Sequence, residues 1–482
     1  MLIAALAGAL LAAPIRTPPQ RARSDDVVRL YARVLHAADA RTPDSAAFAD
    51  ALQSSDPRLR RAAARAIAQL APSHRADVLP QLRALSDDRD ANVAASAMFG
   101  LGLGHDTVSL GRMAALARSG STAAAWSLGE LGAPARDTLS SLLEASARAS
   151  TRASANSSAT VALLLAASKM KPVDVAHILP MLRARDARVR WAAAYAIARQ
   201  RSPAGARALL ELRSTDPAIL AEVARELTAP IAGDSLRAAA FARLRQLAGA
   251  PSPYVRINAL RSLGTYGADG RDALVAALRD RDVLVRVAAA QSVASAFARD
   301  SAAWRAAWSS DTTYEVRRAL LESAATARFE SPGDSAWRAS NEWRLRAAAV
   351  RAWGNSRDST RARSVALAAI RDPDGRVRAA AYALVAGPQR GVRDSIVDAI
   401  LRAGASDPDS LAREEARDPG APRLSRAPAD PHPIEWYDNL VRTLVTPAQR
   451  GRAPRAVIST ARGPITIALF AAETPLTVEN FT

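Results

Sequence analysis

A chain that repeats one apolar stripe about every 30 residues has few folds open to it, because no single copy can bury its own face. Such a stripe returns here from about Ser54 to Arg402. Its clearest copy is Asp186-Ala187-Arg188-Val189-Arg190-Trp191-Ala192-Ala193-Ala194-Tyr195-Ala196-Ile197. Val189, Ala192, Ala193, Ala196 and Ile197 recur at helical spacing and form one continuous face. The same face reads Leu59/Ala62/Ala63/Ala66/Ile67, Val285/Ala288/Ala289/Ser292/Val293 and Val316/Ala319/Leu320/Ser323/Ala324. It returns as Leu345/Ala348/Ala349/Ala352/Trp353 and Val377/Ala380/Ala381/Leu384/Val385. Weaker copies start at Val93, near Gly120, near Asn156, at Ile219 and at Val255. Asp186 stands where a carboxylate can cap the first free backbone N–H groups.

The paired alanines let neighbouring helices approach closely, and the larger residue at each end locks the register. Second helices lie between the copies, among them Ala76–Leu85 and Asp272–Leu278, so the unit is a helical hairpin. The pattern predicts an all-α solenoid, a superhelix of helical hairpins over residues 25–402. It resembles the HEAT family, in particular its short bacterial form, whose common ending is matched by Trp126-Ser127-Leu128-Gly129-Glu130-Leu131-Gly132. Asp186/Arg190, Asp282/Arg286 and Asp374/Arg378 are spaced as i, i+4 pairs, which support a helix by about 0.2–0.5 kcal/mol each. The HEAT resemblance implies that such positions form a ladder between repeats. Glu222 and Glu226 in the Ile219 copy and Asn258 in the Val255 copy put polar groups on the stripe. A bend, a rotated helix or a polar pocket would explain them, and an irregular repeat is the simpler account.

With 482 residues the chain exceeds one ordinary core, as a repeat array allows. Its hydrophobic residues make up 49% but its aromatics only 5%, so the apolar part is mostly Ala, Leu and Val, suited to close helix packing. A net charge of +18 points toward nucleic acid or an acidic membrane. Yet all but Lys169 and Lys171 of the 65 basic residues are arginine, spread along the chain, which reads as genomic GC bias. The absence of cysteine excludes disulfides and thiolate metal sites. Met1–Ala13, MLIAALAGALLAA, has the length of a signal-peptide core and is too short to span a bilayer. Residues 1–20 are therefore expected to direct export to the periplasm or medium, although no basic residue precedes the run; otherwise the chain is cytoplasmic. No later run is long and apolar enough to be a transmembrane helix.

Residues 403–454 read as a linker, carried by Asp407-Pro408-Asp409-Ser410 and Asp418-Pro419-Gly420-Ala421-Pro422. One amphipathic helix, Ile434–Leu444, interrupts it and is expected to dock on the last repeat or on a following domain. In Arg455–Thr482, the strands Val457–Thr460 and Ile465–Phe470 flank the turn Ala461-Arg462-Gly463-Pro464. Thr474 then caps a helix that Pro475 opens at a position needing no N–H.

This segment resembles the first two strands and first helix of a cyclophilin, a peptidyl-prolyl cis-trans isomerase. Thr460, Gly463-Pro464-Ile465, Ile467, Leu469 and the run Pro475-Leu476-Thr477-Val478-Glu479-Asn480-Phe481 carry the likeness. Two strands and a helical turn cannot bury a core, so the segment is expected to open a domain completed in a longer parent. The resemblance implies a catalyst that twists the X–Pro amide against a barrier of about 18–20 kcal/mol. The family's catalytic arginine, glutamine and pocket residues follow the first helix, so no residue of this chain matches them. Ile465, Ile467, Leu469, Val478 and Phe481 are scaffold.

The remaining sequence offers no chemistry of its own. His36, His74, His105, His177 and His432 are scattered, with no paired spacing for a metal or a triad. No glycine-rich phosphate loop or nucleophile elbow occurs. Catalytic, cofactor-binding and metal-binding residues are therefore expected to be none, with no cofactor. The leading expectation is a HEAT-like scaffold presenting polypeptide clients with X–Pro bonds to a cyclophilin-type isomerase of the parent. A scaffold that only binds protein is the alternative, and a basic solenoid gripping nucleic acid is a second.

Overall fold

The computed structural model describes residues 20–149, 157–293, 302–327, 340–355, 359–386, 395–417 and 431–481. The Met1–Ala13 run lies outside them. The chain is an all-α solenoid of HEAT-like hairpins with a two-stranded sheet near its C-terminus. It forms two compact units, one of Met1–Leu131 with Pro428–Thr482 and one of Gly132–Ala427.

In the first unit the helices are α1 (Gln20–Asp39), α2 (Ser45–Leu52), α3 (Pro57–Leu70), α4 (Arg75–Leu85), α5 (Ala91–Leu103), α6 (Leu110–Arg118) and α7 (Thr122–Leu131). The stripe helices α3, α5 and α7 pack side by side, while α4 and α6 fold back as hairpin partners. Gly100 and Gly102 explain the close approach. A Cβ on Gly100 would stand 2.9 Å from the Ala68 Cα, and one on Gly102 2.9 Å from the Ser127 Cα. Ser127, wholly buried, satisfies its hydroxyl by donating to the carbonyls of Met98 and Ala123 at 2.8 Å.

The second unit runs its stripe helices in one row: Ser157–Lys169, Ala187–Gln200, Pro217–Glu226, Pro253–Leu263, Val283–Ser292, Tyr314–Ala327, Trp343–Ala352, Gly375–Ala386 and Ser410–Glu415, each touching the next. The stripe residues of the six clear copies are buried, with only Ala62 and Ser292 half-buried. Asp56, Asp90, Asp186, Asp216, Asp282 and Asp409 cap their helices by accepting from the backbone N–H two residues on.

Three readings of the sequence need correction. Asp407-Pro408-Asp409-Ser410 is no linker but the start of a further stripe helix, because Asp409 caps it and Asp407 ties it to the repeat before. Proline and aspartate favour helix starts as much as loops. The amphipathic helix begins at Ile434 as expected, but in the first unit it packs on α1. There the Tyr437 hydroxyl donates to Asp39 at 2.6 Å, its ring meets His36 edge-on at 5.2 Å, and Arg442 pairs with Asp25 at 2.8 Å. Thr474 occupies the cap position of the helix Pro475–Glu479, yet its hydroxyl donates to the Phe470 carbonyl instead of accepting an N–H.

The hairpin itself is present. β1 (Arg455–Thr460) pairs antiparallel with β2 (Gly463–Ala468), Val457 opposite Thr466 and Ile458 opposite Ile465. Gly463 takes φ +113°, open to glycine alone, and Thr460 Oγ1 donates to its carbonyl at 2.7 Å to close the turn.

Candidate functional site

The i, i+4 pairs read from the sequence do not form. Arg286 and Arg378, like Arg60, Arg256 and Arg346, each reach instead to an aspartate of the next repeat, two residues before that repeat's capping position. Arg60 meets Asp88, Arg256 meets Asp280, Arg346 meets Asp372 and Arg378 meets Asp407, each through Nε and Nη2 at 2.8–3.0 Å. Arg286 pairs with Asp311 at 2.7 Å and with the Thr313 hydroxyl. In every case Nη1 also donates to carbonyls in the loop before its own helix, as Arg378 does to Asp372 and Pro373. One guanidinium thus joins a helix, its entry loop and the neighbouring repeat, a task that needs its planar fork. The carboxylates also accept a backbone N–H two residues on, as Asp407 does from Asp409 at 2.8 Å. Arg378 holds the Asp407 carboxyl down to about 2 against the opposing effect of burial. This ladder fastens the repeats in register.

The polar residues on the Ile219 and Val255 stripes form a buried cluster rather than mere irregularity. Glu222 and Asn258 are 2% and 4% exposed, and Arg225 joins them, donating to Glu222 at 2.8 Å and to Asn258 at 3.4 Å. Burial raises the Glu222 carboxyl, with Arg225 opposing. Glu226 is buried and accepts from the Ser202 N–H at 3.1 Å through Oε1, while Oε2 meets no hydrogen-bond donor; burial pushes its carboxyl up to about 8.

Two surface features of the first unit are fit for binding. Phe99 on α5 and Trp126 on α7 stack at 4.1 Å across adjacent repeats, with Phe99 41% exposed. Near the C-terminus, a cavity of about 350 Å³ opens between α1, α3 and residues 472–477, lined by Tyr31, Arg61, Arg65 and Thr474. Arg65 donates to the Glu473 carbonyl at 2.9 Å there, and burial drives the Tyr31 hydroxyl up to about 12.

His36 and His432 both contact the Tyr437 ring, at 5.2 and 6.4 Å between centroids. His177 meets Glu144 at 3.0 Å, His74 the Arg41 carbonyl at 3.1 Å and His432 the Trp436 ring. Among the described residues no cluster of His, Asp and Glu could hold a metal, and no helix is long and apolar enough to cross a membrane.

A family model for HEAT repeats matches residues 241–325. Two rungs of the ladder, Arg256–Asp280 and Arg286–Asp311, lie within this stretch. No curated protein matches the chain. Similar solved structures include a Kap95:Nup1 complex, 14% identical with a TM-score of 0.49, and yeast importin-beta (Kap95p), 13% identical with 0.46. Each match covers 84% of this chain and 63% of the other, so the chain spans less than two thirds of their length. An engineered protein is 18% identical with a TM-score of 0.32, over 81% of this chain and 97% of that one.

The ladder aspartates and the Phe99–Trp126 stack are what the sequence reading missed. The spacing Asp-x-Asp-x-x-x-Arg, visible at Asp280/Asp282/Arg286 and Asp372/Asp374/Arg378, distinguishes the rung aspartate from the capping one.

Proposed function

We propose that this chain is a HEAT-repeat scaffold that binds protein. The observation that carries the reading is the Phe99–Trp126 stack. Two aromatic rings held on adjacent helices present a large apolar surface at small entropic cost, the character of interface anchors. The test is titration of a fluorescent, permanently unfolded polypeptide with the wild-type chain and with the Phe99→Ser/Trp126→Ser double variant. An affinity at least about tenfold weaker in the variant is the expected loss of one anchor; equal affinity rejects these rings as the contact.

A finer reading is favoured by the hairpin. Val457, Ile458 and Ile465 are 61%, 43% and 53% exposed on a two-stranded sheet, and Phe470, just past β2, is 68% exposed, so the hairpin needs further cover for independent stability. In this reading the hairpin and the helix Pro475–Glu479 open a cyclophilin-type isomerase domain in a longer parent, and the solenoid holds polypeptides with X–Pro bonds near it. Amide exchange over residues 455–468 then slows strongly in the longer chain; unchanged exchange removes the support. The apolar run Met1–Ala13 supports export. A reporter joined after Leu30 should reach an oxidising compartment in a bacterial host, and retention in the cytosol would count against it.

A further inference from the structure

The ladder has a gap. Arg190 occupies the rung position of the helix Ala187–Gln200 and donates through Nη1 to the Ala184 and Arg185 carbonyls at 2.8 and 2.7 Å, as its counterparts do. The residue facing it in the next repeat, two before the capping Asp216, is Ser214, where Asp88, Asp280, Asp372 and Asp407 stand elsewhere. Ser214 spends its hydroxyl on the Asp216 N–H at 3.1 Å, the backbone duty of those aspartates, but brings no charge. Arg190 therefore lacks a rung carboxylate, and with Arg213, Ser214, Thr215, Asp216 and Arg243 it lines a cavity of about 490 Å³.

Two further cations border this space. The Arg243 Nε is buried without a hydrogen-bond partner. Burial, and after it the charge of Arg213, pulls the Arg243 guanidinium below its ordinary range, so these cations repel one another. Asp216 is the single acid in the lining, and its Oδ1 already accepts the Ala218 N–H as a helix cap. Three arginines thus border a lining whose one acid is already engaged, Arg243 itself donating through Nη1 to Gln246. At the corresponding position two before the cap, the repeat after Arg317 also has a serine, Ser340, but the Arg317 guanidinium lies over the Trp308 ring at 5.1 Å and its Nε donates to the Asp311 carbonyl.

We propose that this gap is a binding site for an external carboxylate, supplied by an Asp or Glu side chain of a bound polypeptide, which completes the rung with Arg190 and is flanked by Arg213 and Arg243. The chemistry is that of the other rungs, a carboxylate received by the fork of one arginine, with the acid contributed by the ligand. Identifying the ligand as polypeptide rests on the protein-binding reading above; the carboxylate site does not.

The experiment titrates the full chain at low salt by calorimetry with succinate, a short Asp/Glu-containing peptide, its Asn/Gln counterpart and a short DNA duplex. Ser214→Asp builds the missing carboxylate into the chain, and Arg190→Gln removes the receptor. The acidic peptide is expected to bind wild type, to lose at least about tenfold in affinity to either variant, and to lose binding when its acids are amidated. Ser214→Asp should also raise the melting temperature, which guards against a variant that merely misfolds. Undiminished peptide binding to Ser214→Asp, or no gain in its melting temperature, overturns the site. Succinate binding that Ser214→Asp abolishes, without any binding of the peptide, retains the site and overturns the polypeptide. Tighter binding of duplex than of peptide, equally lost in Ser214→Asp, replaces polypeptide by nucleic acid.

Discussion

Replacing Arg378 by methionine should uncouple the last repeats from the rest of the second unit. Arg378 donates twice to Asp407 at 2.8 Å and to the Asp372 and Pro373 carbonyls at 2.8 and 3.1 Å. Its side chain is 13% exposed and that of Asp407 only 4%. Methionine fills much of the volume but offers no donor, leaving a buried carboxylate with the Tyr382 hydroxyl at 3.2 Å and the Asp409 N–H. Breaking a buried pair from one side costs about 3–5 kcal/mol. In a repeat array that loss falls on one interface between neighbours. Hydrogen exchange should therefore rise in Gly375–Ala386 and Ser410–Glu415 while the helices near Ala193 keep their protection. Removing both partners, Arg378→Met with Asp407→Leu, should recover part of the loss because no buried charge remains. The pair also has an acid limb. The Asp407 pKa is depressed, so its contribution is complete above an unfolded value of about 3.9 and is lost as pH falls through about 2. Arg378→Met should move that limb upward. A loss below about 1 kcal/mol, the range of an exposed pair, or exchange rising evenly over the whole unit, would refute the argument.

Two further predictions concern the core. Ala193 is fully buried on the stripe between adjacent repeats, so Ala193→Leu should overpack the stack and cost about 1–3 kcal/mol in urea unfolding. Glu226, raised by burial to about 8, is protonated in the folded chain where the unfolded chain is ionised. Its stabilising effect is complete below its ordinary value of 4.5 and lost as pH rises through about 8. Glu226→Gln should flatten the fall in melting temperature across that window, and an unchanged slope would place the titration elsewhere.

How far the fold could be read from sequence follows from what each feature depends on. The stripe at Val189–Ile197 needs only helical periodicity, so helices, repeat and buried faces were all legible. A ladder was implied by the HEAT resemblance, but its aspartates were not legible, because an arginine at i+4 from one aspartate looks like a local pair until the helix ends place a second aspartate closer to its fork. Asp407-Pro408-Asp409 was misread for a related reason: the same residues that break a helix also begin one. Docking of Ile434–Leu440 on α1 joins residues nearly the whole chain apart, and amphipathicity reports a buried face without naming its partner. The Ser214 gap becomes legible once the rung spacing is known, since it is the absence of one charge from a pattern.

The most direct test of the account is cis-to-trans relaxation of a proline-containing peptide, followed with this chain and with a longer parent. The account predicts that the 482-residue chain leaves the relaxation at its uncatalysed rate while still binding unfolded polypeptide, and that the longer chain accelerates it. Acceleration by the 482-residue chain would contradict the reading of this molecule as a scaffold without chemistry of its own.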